Sequence, residues 1–224
     1  MTKFIRSLSP RAEFCIVAGP ALGLFVYASL SFALRVHVPL TYAGLAALPT
    51  LEIVLTVLLA AFLHLRGWTL RRIGLFPVLN DFAFGVLLFA AAYAAWFLTY
   101  NIAVAVAPDV AQILIVKAPR FATLGMPLWV LAAPSLINTV FEEAFETGYI
   151  VSALRRSGNI WPALNVSVGI RLLCHLYQGP LGALASIPLG LIFAYWYVRT
   201  GRLWPVILAH AATDMLALVA YSRM

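Results

Sequence analysis

Residues 134–150 read PSLINTVFEEAFETGYI, a stretch apolar enough to lie in a membrane yet carrying three carboxylates, Glu142, Glu143 and Glu146. An ionisable group at bilayer depth costs about 3 kcal/mol or more unless it faces protein or a wet cavity. The stretch therefore demands polar partners from elsewhere in the chain. Two later apolar segments carry them: Arg171 with His175, and His210 with Asp214.

The rest of the composition agrees. Of 224 residues, 63% are hydrophobic and 10% charged, with a mean hydropathy of +0.96. Soluble domains carry about 25% charged residues, so the expected class is an all-α, polytopic helical membrane protein. The net charge of +7 does not point to nucleic acid, because the basic residues sit at the ends of apolar runs rather than in one patch. Cys15 and Cys174 are far apart and form no disulfide framework.

Seven spans follow from runs of about 20 apolar residues: 14–34, 43–65, 82–107, 124–154, 160–178, 180–199 and 203–222. The first is too long for a cleaved leader and is read as a retained span. Residues 108–122, with Asp109, Lys117, Pro119 and Arg120, form the longest polar connection and are expected along the interface. The chain divides into N-terminal helices with this interfacial segment, 1–122, and a helical core, 123–224, integrated in one membrane domain. Basic residues alternate between sides. Lys3, Arg6, Arg11, Arg66, Arg71, Arg72, Arg155, Arg156, Arg199 and Arg202 share one side, against Arg35, Lys117, Arg120 and Arg223 on the other. The positive-inside rule places the N-terminus in the cytoplasm and the C-terminus outside, in a multi-pass protein of the cell membrane.

Counting from the cytoplasmic span ends at ~1.5 Å per residue brings the polar groups to one depth. Glu142 lies roughly 20 Å in, Arg171 about 17 Å, His175 about 23 Å, His210 about 11 Å and Asp214 about 17 Å on that rise. Asn138, Glu142 and Glu146 follow at intervals of four, as do Arg171 with His175 and His210 with Asp214. Such pairs share a helix face. Three spans thus show polar stripes to one shared cavity.

A carboxylate beside an imidazole can hold a water and take its proton, and a second imidazole can stabilise an oxyanion. That chemistry is peptide hydrolysis without a covalent intermediate. There is no HExxH and no GxSxG in the chain. Glu, His, His and Asp are acceptable metal ligands, but their spacing matches no standard metal motif, so a site without metal or cofactor is the expectation and metal dependence the open alternative.

The stretch from about 134 to 220 resembles the CAAX-processing and bacteriocin-processing (CPBP) family of intramembrane glutamic proteases. Its pattern is Glu-Glu with an arginine four positions after the second glutamate, then FxxxH, then HxxxN or HxxxD. Here stand Glu142-Glu143, His175 in HLYQG, and His210 four before Asp214, with WTLRRIGL at 68–75 similar to the family's preamble. The resemblance implies that Glu142 and His175 activate the water, that His210 and Asp214 form the oxyanion pair, and that Glu143 supports them. An ionised Asp214 would orient His210 instead of donating.

Three positions depart from the pattern. Thr147 stands where the family has arginine, preceded by Glu146 where phenylalanine is usual, and Arg171 stands at the start of FxxxH. The expectation is a relocated ion pair, Arg171 facing Glu143 or Glu146, with Asn138 supporting Glu142.

The remaining polar residues have plainer readings. Glu52, isolated in the second span, reads as interior packing or a water contact. His37 and His64 lie near span ends, and Trp68, Trp161 and Trp204 read as interface anchors. The function expected is an intramembrane endopeptidase acting on a membrane-proximal or C-terminal site of a protein or peptide, with the lipid bilayer and no nucleic acid as partner. The competing readings are a non-catalytic immunity or scaffold relative, and a proton-coupled transporter.

Overall fold

The computed structural model describes residues 2–34, 37–39, 42–116, 120–122, 127–155 and 159–221. Arg35, Lys117, Pro119, Arg156 and Arg223 lie outside them. The elements run α1 (Thr2–Ser7), α2 (Pro10–Ala18), α3 (Leu24–Ala33), β1 (His37–Pro39), α4 (Tyr42–Leu65), α5 (Asp81–Val106), α6 (Pro108–Val116), β2 (Arg120–Ala122), α7 (Leu128–Glu142), α8 (Ile150–Leu154), α9 (Trp161–Cys174), α10 (Gly179–Thr200) and α11 (Trp204–Tyr221). A π-helical turn, Gly19–Gly23, joins α2 to α3 in one rod, and another, Glu143–Tyr149, joins α7 to α8.

The protein is an all-α polytopic membrane protein. Among the described residues, four helices are long and apolar enough to cross a bilayer: Pro10–Ala33, Tyr42–Leu65, Asp81–Val106 and Leu176–Thr200. Their outward faces are apolar, with Val54, Val57, Leu58, Phe82, Leu87, Phe97 and Ile102 all exposed. A continuous apolar surface of this kind suits lipid rather than water. The segment expected along the interface contains the helix α6, packed on α5 and α10, and the strand β2, which pairs in parallel with β1.

The span expected at 160–178 is shorter than read. α9 ends at Cys174, His175 caps it, and a 3-10 turn (Leu176–Gln178) leads into α10 through Gly179 at φ 81°. Fourteen helical residues reach only about 21 Å, less than the ~30 Å hydrocarbon thickness. His175 is therefore presented from a helix end, not from mid-span.

Two packed cores flank the middle of the bundle. One joins α5, α9, α10 and α11 through Ala92, Leu164, Phe193, Tyr197 and Val206. The other joins α2, α4 and the α7–α8 rod through Val17, Leu59, Phe141, Phe145 and Tyr149.

The segment WTLRRIGL straps these cores together at one end. Trp68 is buried, donates from Nε1 to Glu13 Oε1 at 2.9 Å, and carries Arg72 over its ring. The indole is thus a core element with a paired N–H, not the interface anchor its sequence position suggests. Trp161 is exposed. Glu13 also holds Arg66 Nε at 2.5 Å, and Arg66 donates onward to the carbonyls of Ile5 and Arg6. Tyr197 Oη bonds the Ile73 carbonyl, and Leu203 N donates to the Gly74 carbonyl at 3.1 Å. Arg202 pairs with Asp81 beside them.

Gly74 is required there. Its φ is 79°, and a Cβ would sit 2.4 Å from the Gly201 carbonyl oxygen. Gly74→Ala should cost about 1–3 kcal/mol through strain and overlap. Thermal unfolding in detergent measures it, and an unchanged midpoint would show that the strap yields.

Candidate active site

The site is centred on the π turn. Replacing i→i+4 bonds by i→i+5 bonds over Glu143–Tyr149 leaves carbonyls turned outward, and neighbouring helices meet them. Ser167 Oγ on α9 donates to the Glu146 carbonyl at 2.6 Å, and Tyr197 Oη on α10 reaches the Gly148 carbonyl at 3.3 Å. The turn also redistributes the three carboxylates. Glu143 and Glu146 are fully buried, while Glu142 is partly exposed.

Glu143 is the hub. Its Oε1 accepts from Arg171 Nη2 at 2.6 Å and faces His210 Nδ1 at 2.7 Å, and its Oε2 accepts from Thr147 Oγ1 at 2.7 Å. Glu146 Oε2 lies 3.4 Å from the same Arg171 nitrogen. The expected ion pair is present, and it involves both acids. Arg171 is 1% exposed, and its guanidinium nitrogen comes within 3.4 Å of Thr147 Oγ1. Gly190 on α10 makes room, since a Cβ there would press on Arg171 Cδ at 3.0 Å.

The two histidines have their Nδ1 atoms engaged. His175 Nδ1 is 2.9 Å from the Arg171 carbonyl, so it is the donor and Nε2 is left as the lone-pair nitrogen. His210 Nδ1 is taken by Glu143, and Nε2 faces Glu142 Oε2 at 3.8 Å and Asp214 Oδ1 at 3.6 Å. Asn138 Nδ2 donates to Glu142 Oε1 at 3.0 Å, as its spacing suggested.

Asp214 acts as an acceptor. Its Oδ2 receives a bond from Ser135 Oγ at 2.9 Å and lies 3.2 Å from Thr139 Oγ1. Of the two roles open to it from sequence, this arrangement matches the orienting one. Ser135 and Thr139 thus border the site, and the sequence reading does not include them. With Asn138 and Glu142 they form the stripe 135, 138, 139, 142 on α7, which was available as a signal.

Glu142, His175 and His210, from three different segments, each offer one ligand atom, all within 4.8 Å of one another. That set could bind a divalent cation through three protein ligands with an open position. It could equally hold one water between a carboxylate and an imidazole. Residues 124–216 match the family model of Rce1-like type II CAAX prenyl endopeptidases. This bears out the family resemblance, and the matched region, somewhat under half the chain, holds Asn138, Glu142, Glu143, Glu146, Arg171, His175, His210 and Asp214. Neither curated proteins nor solved structures give a match.

Proposed function

We propose that the protein is an intramembrane endopeptidase that hydrolyses a peptide bond with a water activated by Glu142 and His175. The observation that carries this is the convergence of Glu142, His175 and His210 inside the Rce1-like region. Glu142 takes a proton from the water as its oxygen attacks the carbonyl carbon, and His175 Nε2 accepts the water's second hydrogen bond. His210 Nε2–H donates to the oxyanion of the tetrahedral intermediate, with Glu143 and Asp214 fixing the ring. Glu142 then passes its proton to the departing amine as the C–N bond breaks, giving a carboxylate and a free amino terminus.

The substrates that suit such a site are C-terminal or membrane-proximal segments, prenylated CAAX tails, sorting-signal tails and peptide precursors among them. The proposed orientation puts the N-terminus in the cytoplasm. Arg66, Arg72 and Arg202 then gather on the cytoplasmic side with the WTLRRIGL strap. The test is cleavage of a co-expressed library of such tails by the wild-type chain and by Glu142→Ala. Product from the wild type alone supports the reading. Equal product from both, or none from either while the chain is folded, overturns it.

The reaction as written needs no bound metal. Activity should therefore persist after exhaustive chelation. Loss of activity that Zn²⁺ restores would instead assign Glu142, His175 and His210 as its ligands.

A further inference from the structure

Glu52 lies outside the Rce1-like region and outside the water-activating chemistry, yet it is the least satisfied acid in the bundle. It sits in α4 with no exposed surface, and neither carboxyl oxygen has a hydrogen-bond partner among the described residues. α4 packs along α7, the helix carrying Glu142. Leu55 and Leu59, on the turns of α4 that follow Glu52, pack against Phe141 and Phe145 on either side of Glu142. Glu142 is itself half satisfied. Asn138 holds its Oε1, while its Oε2 is buried without a hydrogen bond.

An ionised carboxylate with no donor and no counter-charge, placed beside a second carboxylate, is among the most costly arrangements a low-dielectric interior can hold. A neutral carboxylic acid removes the repulsion and gains a proton to donate. Glu142 Oε2 has a lone pair and lacks a donor. The two deficits cancel if one proton lies between the two groups.

We propose that Glu52 is a positioning residue for Glu142: as a neutral acid it donates a hydrogen bond to Glu142 Oε2 across one water. This holds the carboxylate in the rotamer that faces His175 and His210. The proposal rests on Glu142 being the general base, and it adds a helix from outside the matched region to the catalytic apparatus.

Two measurements test it. Infrared difference spectra of wild type against Glu52→Gln, in nanodiscs, should show the carbonyl stretch of a protonated carboxylic acid lost in the variant. The same band should move in Glu142→Gln, because the acceptor beyond the water has changed. A band that is absent, or that survives Glu52→Gln unchanged, overturns the proposal. This measurement needs no substrate, so it stands even if the chain cleaves nothing.

Kinetics give the second. Glu52→Gln retains a donor and should keep kcat within about threefold, whereas Glu52→Leu, lacking the hydrogen bond to a charged group, should lose about tenfold or more at unchanged KM. A purely structural Glu52 predicts the opposite for leucine, since replacing an unpaired buried polar group by an apolar one of similar size is neutral or stabilising. Full activity in Glu52→Leu, or equal impairment in both variants, would sink the idea. Should leucine fail to fold, the spectrum and the glutamine variant still decide.

Discussion

Glu142→Gln should lower kcat by about 10²–10⁴-fold, the usual weight of a general base, and leave the bundle at least as stable as the wild type. The amide oxygen can still accept from Asn138 Nδ2, which now bonds Oε1 at 3.0 Å. Removing the charge also relieves repulsion with Glu52 and Glu146. Glu143→Gln, one residue on, should behave differently. It strips a full negative charge from the partner shared by Arg171, His210 and Thr147. Arg171 would then keep only Glu146, 3.4 Å away. Breaking a buried pair costs about 3–5 kcal/mol, so this variant should lose folded yield and melting temperature as well as activity. Steady-state cleavage of a tail peptide and thermal unfolding, run on the same preparations, separate the two acids. An active Glu142→Gln would remove the general base from the mechanism. A Glu143→Gln as stable as wild type would mean that the hub carries no structural weight.

The two adjacent glutamates illustrate what a sequence can and cannot express. Their presence in an apolar run announced a site, and four-residue spacing brought out Asn138 with Glu142 and His210 with Asp214. The mutual need of buried charges predicted that Arg171 would meet an acid. Each of these follows from composition and helical period. What did not follow is the π turn, Glu143–Tyr149. A run of i→i+5 bonds depends on outside partners such as Ser167 and Tyr197 for the freed carbonyls, and those partners lie on α9 and α10. Without that turn, Glu146 was placed on the face of Glu142, and the different burial of Glu142 and Glu143 could not be foreseen.

Ser135 and Thr139 were missed for a related reason. Hydroxyl residues in apolar helices commonly bond the carbonyl one turn back, and Thr139 does so, to Ser135 O at 2.9 Å. Only the placement of α11 against α7 brings Asp214 to the same hydroxyls. In the sequence Glu52 reads as interior packing or a water contact, because Glu142, the acid it is proposed to serve, stands ninety residues away in the chain. Trp68 was assigned to the interface by its place after Arg66, whereas Glu13 supplies an acceptor that lets the indole enter the core.

Arg171→Phe should collapse the folded yield, and Arg171→Phe combined with Thr147→Arg should recover most of it. The first variant leaves Glu143 and Glu146 buried side by side without a guanidinium, a loss of about 3–5 kcal/mol. The second returns the charge from the other helix. Position 147 is well placed to supply it, since Thr147 Oγ1 already contacts Glu143 Oε2 at 2.7 Å and lies 3.4 Å from the Arg171 guanidinium. The family pattern has arginine at the position of Thr147 and phenylalanine at that of Arg171. In this chain the arginine stands on α9 instead, and its guanidinium reaches Glu143 Oε1. The vacated volume between Gly190 and Phe193 can take the phenylalanine ring, where Arg171 now runs past both. Thr147→Arg alone should be destabilising by about 1–3 kcal/mol, as overpacking of a filled site is. The double variant must then be more stable than the sum of the singles predicts. A thermal-unfolding cycle over the four proteins measures that coupling. Simple additivity would show that the two arginine positions do not serve one carboxylate, and that the relocation is not what keeps this site folded.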